Sequence, residues 1–484
     1  MTERPPTAAI VLAAGGGTRM KSATSKMLHE LGGRSLLGHA IAAVQELDPD
    51  HVAVVVRAQR EQVAAHVAAI APEAIIADQD ELYGTGRAVA CGLAALPEPV
   101  RDGVIVVTYG DVPLLTGATL QRLVERHRAD HNAITALTAF VDDPTGYGRI
   151  LRADTGGVVC IVEHKDATDQ QREIREINSG IYAFDGVVLA DALAQLRPDN
   201  AQGEWYLTDV PGIVAEQGHR VGALVTDDIW QTEGVNDRVQ LATLRRVLNE
   251  RITKAWMLGG VTIVDPATTW IDVDVELAAD VTIAPNTQLR GRTKVAGNCE
   301  LGPDTTLTDC EVGMGASVVR TQAVQAVIGA GATVGPFTYL RPGTRLAAGA
   351  KAGGFVEMKN ADIGPGAKVP HLSYVGDADV GEGTNIGAGV IFANYDGVHK
   401  HHTSVGRHSF VGSDSVLVAP RVIGDGAYVA AGSTVVTDID PGHLGVARGR
   451  QRNIAGWVER KRPGTETAQA AAEAAAANGE ADPR

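Results

Sequence analysis

The chain has 484 residues, enough for two to four domains with cores of their own. Its formal net charge of -15 argues against a nucleic-acid backbone or an anionic membrane surface as partner, so phosphorylated substrates would need local basic patches. Glycine at 56 residues and aromatics at 4% suit a turn-rich solenoid with thin aliphatic packing. Cys91, Cys160, Cys299 and Cys310 show no CxxC spacing, which fits a reducing cytoplasm and disfavours disulfides. The apolar run from Ala8 to Ala14 is too short to span a bilayer, and Arg4 before it is offset by Glu3, so neither a signal peptide nor a transmembrane segment is expected.

Residues Ala8 to Leu12 read as a buried strand, followed by the glycine-rich turn Ala13-Ala14-Gly15-Gly16-Gly17-Thr18-Arg19-Met20 and a stretch leading to Lys26. Such a loop exposes backbone N–H groups to a phosphate chain, and Arg19 and Lys26 add positive charge. The spacing fits neither a Walker A loop nor a dinucleotide fingerprint, and a plain tight turn is the alternative. Strand and helix patterns then alternate. Val52 to Val56 is a strand, Glu61 to Ile70 a helix, and Tyr83 to Arg87 a loop before a helical run. Val104 to Val107 is a strand that leads into Tyr109-Gly110-Asp111. This places Asp111 at the carboxyl edge of a parallel sheet, where ligands gather and a carboxylate can hold magnesium; a turn or cap Asp is the alternative. Thr145 to Arg149, Ile161 to Lys165 and Glu176 to Gly180 read as loops of the same pocket, though each alone would pass for a hairpin turn. Gly203 to Asp209 and Glu233 to Asp237 each precede a helix. The second helix carries an apolar stripe of Val239, Leu244, Val247, Leu248 and Ile252 and serves as a connector to about Gly259.

Beyond it a branched aliphatic residue falls at every sixth position: Ile271, Leu277, Ile283, Leu289, Val295, Leu301 and Leu307. The register slips, then resumes as Ile328, Val334, Leu340 and Leu346, and again as Val405, Val411, Leu417, Ile423, Val429 and Val435. This hexapeptide pattern predicts a parallel β-helix whose stacked coils bury an aliphatic column. A sandwich of short strands is the alternative, but it would not hold one register over so long a run. The ladder breaks at Arg341, at Ala361 to Tyr374 and at Ala393 to Thr403, and interruptions of a solenoid put loops on one face.

Leu12-Ala13-Ala14-Gly15, Gly17-Thr18-Arg19-Met20, Lys26 and Tyr109-Gly110-Asp111, followed by the hexapeptide prism, resemble the bifunctional bacterial N-acetylglucosamine-1-phosphate uridyltransferase/glucosamine-1-phosphate acetyltransferases. The likeness runs from about Ala8 to about Arg452. It implies an α/β Rossmann-like nucleotidyltransferase domain over residues 1–232, a linker helix over 233–260, a left-handed parallel β-helix acetyltransferase domain over 261–447, a largely disordered tail over 448–484, and a cytoplasmic homotrimer. Left-handedness rests on the resemblance alone, because the general rule for parallel crossovers gives the opposite hand. By the same likeness Leu12, Ala13, Ala14 and Gly15 hold UTP, Gln79, Gly84 and Thr85 meet its uracil and ribose, and Lys26 lies at the phosphates. Tyr109 and Gly110 adjoin them, Asp111 and Asn236 ligate Mg2+, and Gly148, Glu163 and Asn178 hold N-acetylglucosamine 1-phosphate. Lys26 and Arg19 supply charge to the transition state of an in-line attack that needs no protein nucleophile.

In the prism the resemblance assigns Arg341 and Lys359 to the sugar phosphate and Tyr374 and Asn385 to the sugar. His371 is the general base toward the glucosamine amine as it attacks acetyl-CoA, a task an imidazole can perform near neutral pH; a lone histidine is otherwise more often structural. Asn394 orients that base. Ala388, Asn394, Tyr395, Lys400, Ser413, Ala431 and Arg448 line the coenzyme A pocket, with Ser413 near the oxyanion. His399, His401 and His402 could suggest a metal, but Lys400, Thr403 and the lack of acidic neighbours other than Asp396 favour a mobile loop. The Gly15-Gly16-Gly17 run departs from relatives with a charged middle residue, which points to a more flexible loop. Trp457 either reaches over an acetyl site or packs on the last coil. A competing reading makes the prism a structural trimerising module behind a monofunctional sugar-1-phosphate nucleotidyltransferase, and a triphosphate other than UTP stays open. No nucleic acid or membrane insertion is expected.

Overall fold

The structure, a computed structural model, describes residues 6–154 and 156–479; Glu3, Arg4 and the end of the tail lie outside the described residues. It divides into two compact units, residues 1–344 and 345–484.

The first unit opens on Thr7–Ala13, all seven residues of which are buried. Flanking strands cover both edges of such a run, so its side chains alternate between two cores: Ala8, Ile10 and Leu12 face one, and Ala9, Val11 and Ala13 the other. His51–Val56 and Val104–Tyr109 pair with it in parallel, and Ile75–Asp78 lies beyond His51–Val56. On the other side Glu176–Asp185 runs antiparallel between Val104–Tyr109 and Ile134–Phe140, and Val221–Val225 closes the edge. Glu176 to Gly180 is thus strand, not loop. Its polar side chains are satisfied within the sheet, with Ser179 Oγ donating to Leu137 O at 2.6 Å, and the register shifts by a bulge between Asn178 and Tyr182. The helix Thr85–Ala95 likewise begins inside the stretch expected to be loop, and Ile161 and Val162 end the strand Val158–Val162.

Arg238–Leu258 is a single helix capped by Asp237, whose side chain accepts from the N–H groups of Val239 and Gln240. Its buried face is Leu241, Leu244, Val247, Asn249 and Thr253. Val239, assigned to that stripe, is 76% exposed. It stands five residues before Leu244, which at about 100° per residue turns it well off the buried face. Asn249 joins the helix to the first coil of the prism, donating to Thr269 O at 2.7 Å and accepting from Ile271 N at 3.2 Å.

From Thr262–Ile263 onward the strands are short, and the second residue of each two-residue strand up to Thr434–Val435 is buried, as in Glu276–Leu277. Every aliphatic rung named above is buried. Gln288 pairs with Thr306 eighteen residues on, three hexapeptides to a coil, whereas Glu311 pairs with Val327 sixteen on; this shortening is the slip in the repeat. A second interior column was not anticipated. Buried threonines occupy corners, and three of them donate to a backbone carbonyl three residues earlier: Thr287 to Ala284 at 2.8 Å, Thr293 to Arg290 at 2.8 Å and Thr344 to Arg341 at 2.7 Å.

The second unit repeats this ladder from Arg345–Leu346 to Leu444–Gly445. Its strands are of the left-handed parallel β-helix class, as are those of the first unit after Gly260. The stretch Ala361 to Tyr374 carries no insertion, because Glu357 pairs with Tyr374 in an ordinary coil of seventeen residues built from longer strands. The interruption at Ala393 to Thr403 is real: Ala378 pairs with Thr403, twenty-five residues on. The tail, expected to lack structure, is helical over Trp457–Lys461 and Glu466–Gly479. Its alanines favour helix, and no large apolar side chain docks it.

Candidate active sites

Four parallel strands of the first unit end at the same edge of the sheet, and the residues that follow them surround a cavity of about 480 Å³. Thr7–Ala13 supplies Ala14, Gly15 and Gly16; His51–Val56 supplies Arg57 and Ala58; Ile75–Asp78 supplies Gln79; and Val104–Tyr109 supplies Tyr109 and Asp111. A side chain built on Gly15 would meet nothing within 4 Å, so the loop presents backbone to open space. Lys26, 8% exposed, makes an ion pair with Asp111, 16% exposed. Of the residues expected to hold nucleotide, Leu12, Ala14, Gly15, Lys26, Gln79, Gly84, Thr85 and Tyr109 line this cavity. Ala13 and Gly110 are buried behind it, with Gly110 N donating to Leu12 O at 2.9 Å, and Arg19 is exposed outside the lining.

Gly84 fixes the far wall. Its φ is +126°, and a Cβ there would stand 2.3 Å from Trp205 O and 2.4 Å from Trp205 N. The two segments are laced together: Gly86 N donates to Trp205 O (2.8 Å), Trp205 N to Tyr83 O (3.0 Å) and Leu207 N to Thr85 Oγ1 (3.0 Å). Lining residues that the sequence reading did not assign to the site include Arg57, Tyr83 and Glu204. Arg57 follows its strand as Asp111 follows another, a signal present but unused; its guanidinium lies 3.7 Å from the centroid of Tyr83, and Glu204 completes the lining.

Gly148, Glu163 and Asn178 adjoin one another: Asn178 N donates to Gly148 O at 2.9 Å, and a Cβ on Gly148 would stand 3.6 Å from Glu163 Oε1. Burial pushes the Glu163 carboxyl above its ordinary range, against the hydrogen bond from Thr208 Oγ1 at 3.0 Å, with Asp166 adding to the rise. Tyr109 links this cluster to the cavity. Its hydroxyl is pushed up by burial and then by Glu163 and Asp111, and its ring is the atom group that a Cβ on Gly180 would meet.

Val235, the residue before Asn236, donates its N–H to Asp111 O at 2.9 Å. No group of three or more His, Cys, Asp or Glu side chains that could hold a metal occurs among the described residues. One carboxylate and one amide nevertheless suit Mg2+, which keeps waters and takes substrate phosphate oxygens for its remaining positions.

In the second unit His371 is exposed at the end of the strand Lys368–His371. Successive coils stack below it: Gly389 N donates to His371 O (3.3 Å), Asp414 N to Ala388 O (2.8 Å) and Gly432 N to Ser413 O (2.8 Å). His371, Ala388, Ser413 and the neighbourhood of Ala431 therefore share one corner of the prism. Asn385 sits opposite Lys368 on the adjoining strand. Lys359 and Tyr374 lie on neighbouring strands, Lys359 opposite Gly376 and Tyr374 opposite Ile391. Arg341 belongs to the first unit, where it opens the corner closed by Thr344.

Asn394 is 7% exposed, and its amide donates to Asp377 Oδ2 at 2.5 Å and to Tyr374 Oη at 3.4 Å. It is hydrogen-bonded to these two groups and not to His371, the residue it was expected to orient. The added residues that begin there are held rather than loose. Tyr395 bridges to Lys400, and the Asp396 carboxylate accepts from Val398 N (2.8 Å), His399 N (2.7 Å) and His401 Nε2 (2.7 Å), which holds it below the usual carboxylate range. His402 Nε2 faces Asp379 at 2.9 Å. Arg448 is exposed, and the Trp457 ring faces the guanidinium of Arg462, the residue just past its helix, at 5.4 Å.

A nucleotide-sized cavity at the carboxyl edge of an α/β sheet, on a chain that continues as a hexapeptide prism with its own polar cluster, defines a nucleotidyltransferase joined to a hexapeptide-repeat acyltransferase. Residues 9–171 match the MobA-like NTP transferase domain family. The chain is 57% identical over 478 residues to the bifunctional protein GlmU of Corynebacterium aurimucosum, covering 98% of each. Against that of Streptomyces coelicolor it is 59% identical over 467 residues, 96% of this chain and 97% of the relative, and against that of Kineococcus radiotolerans 56% over 473, 97% and 96%. The chain belongs to the GlmU family of bifunctional proteins.

Proposed function

We infer that the chain synthesises UDP-N-acetylglucosamine by two transfers, one on each class of fold: acetylation of glucosamine 1-phosphate by acetyl-CoA, then uridylyl transfer from UTP to N-acetylglucosamine 1-phosphate. Membership in the bifunctional family over nearly the whole chain carries this reading. For uridylyl transfer, backbone at Gly15 and the ammonium of Lys26 receive the triphosphate, Gln79, Gly84 and Thr85 the nucleoside, and Gly148, Glu163 and Asn178 the sugar. A phosphate oxygen of the sugar attacks the α-phosphorus in line, a new P–O bond forms, and the bond to pyrophosphate breaks. Asp111 and Asn236 hold Mg2+, which supplies charge neutralisation on the phosphates. Lys26 leaves Asp111 for the phosphates when both are present.

For acetyl transfer, the amine of glucosamine 1-phosphate attacks the thioester carbonyl, forming the amide C–N bond as the C–S bond breaks. His371 takes the amine proton, and the departing thiolate of coenzyme A is protonated in turn. Lys359 binds the sugar phosphate, Tyr374 and Asn385 the sugar, and the corner from Ala388 through Ser413 to Ala431 the coenzyme, with Tyr395, Lys400 and Arg448 around it. The active form is a homotrimer working in the cytoplasm; among the described residues no helix is long and apolar enough to cross a membrane. Coenzyme A release from acetyl-CoA and glucosamine 1-phosphate tests the reading. The unaltered chain should release thiol, and His371→Ala should lose that activity while still releasing pyrophosphate from UTP and N-acetylglucosamine 1-phosphate. Absence of thiol release by the unaltered chain would leave only the monofunctional alternative.

A further inference from the structure

Asp377 is the hub of the polar cluster in the second unit. The ladder sets Lys359-Asn360 beside Gly376-Asp377, and Asn360 Nδ2 donates to Asp377 Oδ1 at 2.9 Å while Asn394 Nδ2 donates to Oδ2 at 2.5 Å. One carboxylate thus ties an ordinary coil to the root of the insertion. The packing leaves no room for error: a Cβ on Gly376 would stand 2.3 Å from Tyr374 Oη and 2.8 Å from Asn394 Nδ2. Burial alone would push the Asp377 carboxyl up. The amides of Asn360 and Asn394, with Lys359 and Lys400 nearby, outweigh that and hold it low, so it is an acceptor.

An ionised carboxylate accepts and does not donate, so Asn394 can present only its NH2 to Asp377. The second N–H goes to Tyr374 Oη. Both amide protons are then committed, and Oδ1 is the one atom of the group left to act on a ligand. We propose that Asp377 is a positioning residue for acetyl transfer: it locks the Asn394 amide in the single orientation that turns Oδ1, an acceptor, toward the N–H of the attacking glucosamine amine. Held this way, the amine keeps its lone pair for the thioester carbonyl while its other proton is open to His371. The same lock leaves the Tyr374 hydroxyl proton free for the sugar. This rests on the acetyltransferase reading above.

The test is a double-mutant cycle in the full chain, Asp377→Asn and Asn394→Ala singly and together, with thiol release and pyrophosphate release measured on each preparation. An amide at residue 377 removes the rule that fixes the flip without changing the shape. Asp377→Asn should lower kcat for acetyl transfer at least tenfold, leave KM for glucosamine 1-phosphate within twofold, and leave pyrophosphate release unchanged; added to Asn394→Ala it should lower kcat no further. A kcat within twofold of the unaltered chain, or an equal fall in the Asn394→Ala background, overturns the proposal. If Asp377→Asn does not fold, Asp377→Glu, which keeps an acceptor-only carboxylate, enters the same cycle: a smaller loss, again absent in the Asn394→Ala background, supports the lock, and an additive loss overturns it. No thiol release by the unaltered chain instead defeats the acetyltransferase reading and is told apart at once.

Discussion

Replacing Gly84 by alanine should damage uridylyl transfer while sparing acetyl transfer. At φ +126° and ψ 154° the residue occupies a region that side chains avoid, at a cost of about 1–3 kcal/mol. The added Cβ would also stand 2.3, 2.4 and 2.7 Å from three backbone atoms of Trp205, which cannot rotate away as a side chain would. Either the strain is borne or Trp205 retreats, breaking the bonds that join it to Tyr83 and Gly86, each worth roughly 1 kcal/mol. Together these effects come to about 2–5 kcal/mol. Because Gly84 and Thr85 line the cavity, the retreating wall opens it. At about 1.4 kcal/mol per factor of ten, kcat/KM for UTP should fall by between roughly 30-fold and 4,000-fold. Pyrophosphate and thiol release from one preparation provide the assay, with thiol release expected within twofold of the unaltered chain. An unchanged KM for UTP with an unchanged melting temperature would refute the steric argument, and a parallel loss of both activities would show global unfolding instead.

Glu163→Gln should raise stability near neutral pH yet weaken sugar binding. Its carboxyl titrates higher folded than unfolded, so the stability it contributes is full below the unfolded value and lost as pH rises through the folded one; denaturant midpoints against pH should be flatter in the variant. His127, buried beside Thr135 with its pKa pushed down to about 4, works the other way. Its contribution is present above the ordinary value of 6.5 and lost as pH falls toward about 4, to a total of up to roughly 3 kcal/mol, and His127→Gln should flatten urea midpoints between those limits. Leu307→Ala, at a fully buried rung, should cost about 2–5 kcal/mol by urea melting; a loss below 1 kcal/mol would mean the column repacks.

The sheet and the prism were legible because each repeats its burial at a fixed period. Thr7–Ala13 is apolar throughout because neighbours cover both faces, and the sixth-residue rungs are aliphatic because each alone fills its level of the column. Polar composition misled where burial was satisfied locally. Asn178-Ser179-Gly180 reads as a turn, but the Ser179 hydroxyl finds a carbonyl on the next strand, so the chain continues straight through the sheet. The capped start of Arg238–Leu258 misled in the opposite sense, since Val239 is apolar but turned to solvent.

The two candidate sites differ in how far sequence can reach them. At the sheet edge, any residue just after a parallel strand is a candidate; that rule finds Asp111, and applied evenly it also reaches Arg57 and Gln79, the latter named above only through the family resemblance. In the prism, neighbours are set by coil length, and coil length varies. Asp377 meets Asn360 seventeen residues before it, a normal coil, and Asn394 seventeen after it, where the insertion has displaced the regular partner to Thr403 beside Ala378. Asn394 directly follows the paired strand Ile391–Ala393, and its side chain is held by the bond to Asp377. An insertion interrupts the backbone register of a solenoid; here the strand Ile391–Ala393 stays paired on both sides up to the insertion's first residue, and the Asp377 carboxylate, with both oxygens accepting, fixes the side chain that opens it.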